Sequence, residues 1–334
     1  MRVLAIESSC DETAIAILNG IDDDLRIEAS LVRSQIDIHQ AYGGVVPEVA
    51  AREHLEMITS MLARVARADG AGIDVIAVTA GPGLAPALRV GVEVAKTLAW
   101  AWKKPLIPVC HLEGHIYASW LGENPTFPVL ALIVSGGHTE LVMMKNHGEF
   151  ERIGETLDDA AGEAFDKVAK MLGLPYPGGP AVDLLATKGN PKAFAFPRAM
   201  LNREDSMFSF SGLKTAVLYE LRRDDTRIND ETFRADIAAS FQEAVVEVLV
   251  EKTMRAAGKH NPKSIVLAGG VAANRTLRDR LKEAGEHRGI PVHVPQFQYA
   301  LDNAAMIAVA GYYRALREEF TNPLTLRVNP SMDI

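Results

Sequence analysis

The sequence predicts an α/β protein made of two related lobes, and three observations carry that expectation. Residues 3–18, "VLAIESSCDETAIAIL", run from an apolar stretch through a small polar turn into a second apolar stretch, the pattern of a β-hairpin; residues 129–145, "VLALIVSGGHTELVMMK", repeat it. Residues 75–99, "VIAVTAGPGLAPALRVGVEVAKTLA", read as a buried strand, a glycine turn and a helix, and residues 264–284, "SIVLAGGVAANRTLRDRLKEA", match them element by element. With 334 residues, 48% of them apolar, the chain can bury two cores of about 150 residues each.

The hairpins lie about 127 residues apart and the strand–turn–helix units about 190, so the second lobe carries roughly 60 extra residues. The insert spans about 150–235 and holds two helical stretches around a Pro/Gly turn, "DDAAGEAFDKVAKMLGLPYPGGPAVDLLA", then a loop entering a helix, "MFSFSGLKTAV". The expected division is a first lobe over 1–108, a second over 109–303, and a C-terminal helix within 304–334 that packs back on the first. Glycine turns at strand ends let backbone N–H groups approach an anion, and the helices that follow add their positive ends. "VSGGHT" (134–139) and "LAGGVAANR" (267–275) are the best such turns, with "GPG" (81–83) a third. Each alone also suits an ordinary tight turn; their symmetric placement favours a nucleotide cleft.

A net charge of −8 and a pI near 5.6 exclude a protein that coats itself in nucleic acid, although a local basic patch stays open in 275–282 or among Arg198, Arg203, Lys214, Arg222 and Arg223. No run of 18 apolar residues occurs and "MRVLAIESS" has no signal-peptide pattern, so a soluble, cytoplasmic protein without membrane contact is expected. Cys10 and Cys110 are too few and too far apart for a disulfide framework and read as buried thiols.

The stretch "HLEGHIYA" (111–118) places His111 and His115 four residues apart, on one face of a helix, where two imidazoles could share a zinc or iron ion. They could equally be polar residues at the edge of a core. A zinc protease is excluded, because its H-E-x-x-H puts the general base directly after the first histidine, whereas Glu113 lies about 200° around a 3.6-residue helix and points away. A third protein ligand would have to come from elsewhere in the chain. For proton transfer, the turn of the first hairpin offers Asp11 and Glu12, of which Asp11 is preferred.

The stretches "IESSCDET", "HQAYGGVVPEVAAREH", "GPGLAPALRVG", "HLEGH", "LIVSGGHTEL", "DDAAGEAFDKVAKMLGLPYPGGP", "FSFSGLKT", "AGGVAANRTLR" and "LDNAAMIA" follow one another in order from residue 1 to about 312. In this the chain resembles the bacterial tRNA threonylcarbamoyladenosine transferases (TsaD type). The resemblance implies an actin-like (ASKHA) fold of duplicated ribonuclease-H-like lobes with a nucleotide and metal cleft between them. It also implies transfer of threonylcarbamoyl from threonylcarbamoyl-AMP to the N6 amine of the adenosine beside the anticodon (position 37), in tRNAs reading codons that begin with A, with release of AMP. Matched residue by residue, the family's metal ligands fall on His111, His115 and Asp302, for one divalent ion, iron(II) first and zinc(II) second. Asp302 would also stand at a helix start, where a carboxylate serves as N-cap. The family's binding positions fall on Val134, Ser135, Gly136, Gly137, His138, Asp166, Gly179, Asp183 and Asn274. Some relatives carry a histidine where this chain has Cys110. The implied partners are tRNA, a related lobe-pair protein of the TsaB type and a small ATPase of the TsaE type. Two other readings stand beside this one: a small-molecule kinase or ATPase on the same fold, and a non-catalytic nucleotide-binding scaffold.

Overall fold

The apolar run Val3–Ile6 is fully buried because β1 (Arg2–Glu7) is the central strand of a five-stranded sheet. It pairs antiparallel with β2 (Glu12–Ile21), which continues antiparallel into β3 (Asp24–Ser34). The burial of β3 alternates as an edge strand's should. After α1 (Ile36–Gln40) and α2 (Pro47–Val65), β4 (Val75–Gly81) lies parallel on the other side of β1. All seven of its residues are buried, as its unbroken apolar run requires. The helix α3 (Ala85–Trp102) leads to β5 (Leu106–Cys110), parallel to β4, and α4 (His111–Tyr117) follows without a break. The computed structural model describes residues 1–223, 227 and 229–334.

A second sheet repeats this plan. It is built from β6 (Val129–Val134), β7 (Thr139–Asn146) and β8 (Glu149–Glu155), then α5 (Ala161–Met171), α6 (Gly178–Ala186), α7 (Ser211–Arg223), α8 (Glu231–His260), β9 (Ser264–Ala268), α9 (Arg275–Glu286) and β10 (Val292–His293). The strand order β3-β2-β1-β4-β5 becomes β8-β7-β6-β9-β10, and Leu130 faces Ile265 as Leu4 faces Ile76. The expected insert holds α5 to α7. Asp230 caps α8 by accepting from the Thr232 and Phe233 N–H groups, and Asn261, in the left-handed conformation, ends it. Phe165 of α5 meets Phe241 of α8 edge-on, 5.1 Å between centroids, in the core beneath.

The chain then returns to the first sheet through α10 (Phe297–Ala300) and α11 (Ala304–Leu316), which packs on β1, β2, β4 and α4. The two compact units are therefore Met1–Asn124 with Pro295–Ile334, and Pro125–Val294. This corrects the expected boundaries after 108 and 303: α4 stays with the first unit because it rests on α11, and the segment carrying Asp302 returns with that helix. The C-terminal tail closes the third glycine turn. Asn329 N–H donates to Ala80 O, Gly83 N–H donates to Pro330 O, and a Cβ on Gly81 would collide with Asn329 O. That turn is closed by its own chain. No helix among the described residues is long and apolar enough to cross a membrane.

Candidate metal centre and glycine turns

Because α4 begins at His111 directly after a buried strand, the two histidines lie on its inner face, ring centroids 4.6 Å apart and nearly perpendicular. Asp302 Oδ1 lies 3.4 Å from His111 Nε2 and 3.2 Å from His115 Nε2. One ligand atom from each of the three residues fits within a span of 4.8 Å. Asp302 does not cap α11. That work falls to Asn303, whose side chain accepts the Met306 N–H, so the carboxylate one residue earlier is left to face the histidines.

The opposite face of His111 meets a group the sequence reading missed. Glu7, fully buried at the end of β1, places Oε2 3.0 Å from His111 Nδ1, accepts from Thr79 Oγ1 at 2.6 Å, and takes the Ser9 N–H on its other oxygen at 2.6 Å. Ser9 Oγ lies 3.2 Å from the same imidazole nitrogen. A carboxylate behind Nδ1 fixes the tautomer that turns the Nε2 lone pair outwards, the usual support of a metal-binding histidine. The only local hint was an acidic residue closing an apolar strand.

Electrostatics follow from this crowding. Burial opposes charge on His111, but Asp302 and Glu7 outweigh it and lift its pKa well above the imidazole range. Burial and then the neighbouring His111 push His115 down. Burial also opposes ionisation of Asp302, yet His111 and His115 hold its carboxyl far below the usual range. Both ring nitrogens of His115 are buried and, among the described residues, neither makes a well-aligned hydrogen bond, although Nε2 faces the Asp302 carboxylate at 3.2 Å. A protein leaves a buried imidazole so only at a cost, and two imidazoles with one carboxylate are the donors a divalent transition metal takes. The residues fit such an ion.

Glu113 points the other way. It is buried, and its Oε2 accepts from Arg314 Nε and Nη2, both at 2.7 Å. Cys110 is buried, its thiol pKa raised by burial, and it is not one of the three clustered residues. Asp11 is buried in the turn between β1 and β2. Its neighbour Glu12 is raised well above the ordinary carboxylate range by burial, then by Asp302 and Asp11.

In the second unit, Ser135–His138 form the turn between β6 and β7. Ser135 N–H donates to His138 O at 2.8 Å and His138 N–H to Ser135 Oγ at 3.1 Å. Behind the turn, Gly269 and Gly162 let the backbone press against Val134 and Ser135, where a side chain would collide. Gly136 and Gly137 are different. They are exposed, and a Cβ on either would meet nothing, so the fold itself does not require glycine there. Asp166 is partly structural: its Oδ1 accepts the Gly178 N–H at the start of α6, at 2.7 Å. Asn274 caps α9 through Leu277 N–H and donates to Gln242 Oε1 at 2.8 Å and Asp183 Oδ1 at 3.2 Å. Burial raises the pKa of Asp183, against hydrogen bonds from Gln242 and the Arg275 backbone. Gly179 lies in the first turn of α6, again with open space where a Cβ would stand. The residues expected to bind substrate thus all lie in the second unit, and the His–His–Asp trio with Asp11 lies wholly in the first.

Two mixed sheets of one strand order, with a His–His–Asp cluster beside the first, define an actin-like α/β protein with a candidate metal centre. The fold is that of HypF from T. kodakarensis, matched with a TM-score of 0.64 at 15% identity over 96% of this chain and 49% of that one, so the chain spans about half of HypF's length. The family described as "TsaD: tRNA N6-adenosine threonylcarbamoyltransferase" matches residues 26–309. Proteins of that name from Moorella thermoacetica (52% identical, 100% of this chain and 97% of theirs) and Bacillus subtilis (54%, 93% and 90%) are similar along nearly their whole length. The chain belongs to the tRNA N6-adenosine threonylcarbamoyltransferase family.

Proposed function

We propose that this chain transfers threonylcarbamoyl from threonylcarbamoyl-AMP to the N6 amine of adenosine 37 in tRNAs that read codons beginning with A. The observation that carries the reading is the 52% identity, over the whole chain, to a protein named for that transfer. The relatives favour it over a small-molecule kinase or ATPase and over a non-catalytic scaffold.

In the reaction the amine nitrogen adds to the carbamoyl carbonyl carbon, the bond from that carbon to the phosphate oxygen breaks, AMP departs, and the amine proton goes to a base. Asp11 is the proposed acceptor, with the raised carboxyl of Glu12 beside it. His111, His115 and Asp302 would hold a divalent ion, iron(II) ahead of zinc(II), which when bound supplies a Lewis acid for the developing oxyanion. The open backbone at Gly136 and Gly137, with Val134, Ser135 and His138, would cradle the phosphate. Asp166, Gly179, Asp183 and Asn274 would hold the adenosine. A TsaB-type lobe-pair protein and a TsaE-type ATPase are the proposed partners, in the cytoplasm. Several members of the basic stretches are already engaged: Arg198, Arg203, Lys214 and Arg280 pair with Glu247, Asp205, Asp159 and Glu243, which favours borrowed basic surface for tRNA.

The test supplies synthetic threonylcarbamoyl-AMP and unmodified tRNA to the metal-loaded protein with its partners, and quantifies modified nucleoside and AMP by mass spectrometry. Stoichiometric formation of both is expected. Phosphate release from ATP without tRNA, and no modified nucleoside, would replace this reading with the kinase one.

A further inference from the structure

The motif "HQAYGGVVPEVAAREH" (39–54) takes no part in the site described so far, yet it supplies two histidines with no exposure at all, His39 and His54. Gln35, also buried, stands between them. Val46 N–H donates to His39 Nδ1 at 3.4 Å, His39 Nε2 lies 3.1 Å from Gln35 Oε1, Gln35 Nε2 lies 3.3 Å from His54 Nδ1, and His54 Nε2 lies 3.1 Å from Cys10 O.

Both ends of this chain of contacts are backbone groups whose roles cannot change. An amide N–H can only donate, so His39 Nδ1 carries no hydrogen and its Nε2 must. A carbonyl can only accept, so His54 Nε2 carries the hydrogen and its Nδ1 does not. The amide between them must then accept from His39 and donate to His54, and its second contact, to Ala50 O at 3.4 Å, demands the same orientation. Thr13 Oγ1, 2.7 Å from His54 Nδ1, completes the acceptor's partners as a donor. Every bond points from the loop at Val46 towards the turn after β1.

That turn is held carbonyl by carbonyl. Ser9 O accepts from Leu84 N–H at 2.8 Å, Asp11 O from Gln35 N–H at 3.0 Å, and Cys10 O from His54. The turn touches the cluster through Ser9, whose hydroxyl lies against His111, and it carries the buried Asp11. At the far end, Tyr42 and Gly43 are exposed and Gly44 is half-buried, Gly43 has φ +69°, and no atom stands where either glycine's Cβ would be.

We propose that Gln35, His39 and His54 are positioning residues for the transfer reaction, a one-way hydrogen-bond chain that fixes the Ser9–Asp11 turn beside His111 and ties it to the loop 42–46. The role rests on the transfer reading above. His54 acts as the neutral imidazole: burial lowers its pKa, helped by His39 on α1 and opposed by the Cys10 carbonyl, Glu7 on β1 and Asp11 in the turn. An imidazolium there would put a hydrogen on Nδ1 facing the Gln35 amide N–H and break the chain at that link.

Two measurements test this on the full chain, metal-loaded and with its partners. Nitrogen-15 histidine spectra should show His39 and His54 both as the Nε2–H tautomer; an Nδ1–H form at either would overturn the direction of the chain, whatever reaction the protein catalyses. His54→Leu, which removes donor and acceptor, should lower kcat roughly tenfold or more while metal content and the KM for adenylate stay within about twofold. His54→Gln keeps an amide donor for Cys10 O and should recover most of the loss. Equal activity in His54→Leu and wild type, or equal loss in both variants at equal folded content, would overturn the positioning role. If His54→Leu does not fold, Gln35→Met gives the same kcat comparison. An inactive wild type would instead sink the transfer reading and leave the tautomer result standing.

Discussion

His115 and Glu113 are two residues apart on one short helix and face opposite ways, so replacing each separates metal retention from scaffold stability. Removing one member of a buried ion pair costs about 3 to 5 kcal/mol. The Glu113 side chain is 1% exposed but that of Arg314 is 25% exposed and has a second partner, Glu319 at 3.2 Å. Burial also raises the Glu113 pKa against the pull of Arg314, which places the pair nearer to break-even. Glu113→Ala is therefore expected to cost about 2 kcal/mol, and Glu113→Gln, which keeps shape and a hydrogen bond, under about 1 kcal/mol. At roughly 2 to 4 °C per kcal/mol, Glu113→Ala should melt about 4 to 8 °C lower, with metal content and transfer per folded molecule unchanged. His115→Ala should lose at least about 10 to 100-fold in metal affinity, the loss that even outer partners of a ligand cause, and with it the transfer. Calorimetry, elemental analysis and nucleoside mass spectrometry on the three variants read these outcomes. Were Glu113→Gln to abolish transfer with metal and melting temperature intact, or His115→Ala to keep its full metal complement, the argument from helical spacing would be refuted.

Gly136→Ala should change stability by no more than about 0.5 kcal/mol, because nothing stands where its Cβ would go, yet raise the KM for adenylate severalfold; unchanged adenylate binding would remove this turn from the site. Asn303→Ala should cost about 1 kcal/mol of stability and also weaken metal binding, because the cap sets the residue that follows Asp302; metal affinity equal to wild type would show that the carboxylate is placed independently. Burial opposes ionisation of Asp158, but hydroxyls of Ser209 and Ser211 and the N–H groups of Phe210 and Ser211 hold its pKa below the ordinary aspartate value. A depressed carboxylate stabilises the fold above its unfolded pKa, about 3.9, and loses that contribution as pH falls through the lower folded value, so Asp158→Asn should flatten the acid limb of a melting-temperature profile below about pH 4. Parallel acid limbs in the two proteins would refute that assignment.

The duplication and the histidine pair were legible because both are local patterns. A strand, a turn and a helix each reveal themselves within about 20 residues, and a spacing of four fixes two side chains on one helical face whatever surrounds them. The same reasoning placed Glu113 off that face, where it lies, but gave no sign that it would be buried against Arg314, because the face opposite a site can meet water or another helix with equal local pattern. Asp302 was reached only through family resemblance, since nothing in its neighbourhood distinguishes a ligand from a helix cap; the structure gives the cap to Asn303 and leaves Asp302 facing the histidines.

The sequence alone thus determined the paired α/β plan, the faces of its helices, and the set of motifs that place it in its family. Tertiary structure alone decided which side chains meet. Glu7 reaches His111 across 104 residues, and α4 and α11 meet through an ion pair spanning 201. Two of the candidate glycine turns took different fates, one sealed by the C-terminal tail and the other open at Gly136 and Gly137. The physical reason is that periodicity records how a residue lies relative to its own element, whereas a buried polar contact is set by how elements pack, and the cost of leaving such a group unpaired is settled only there.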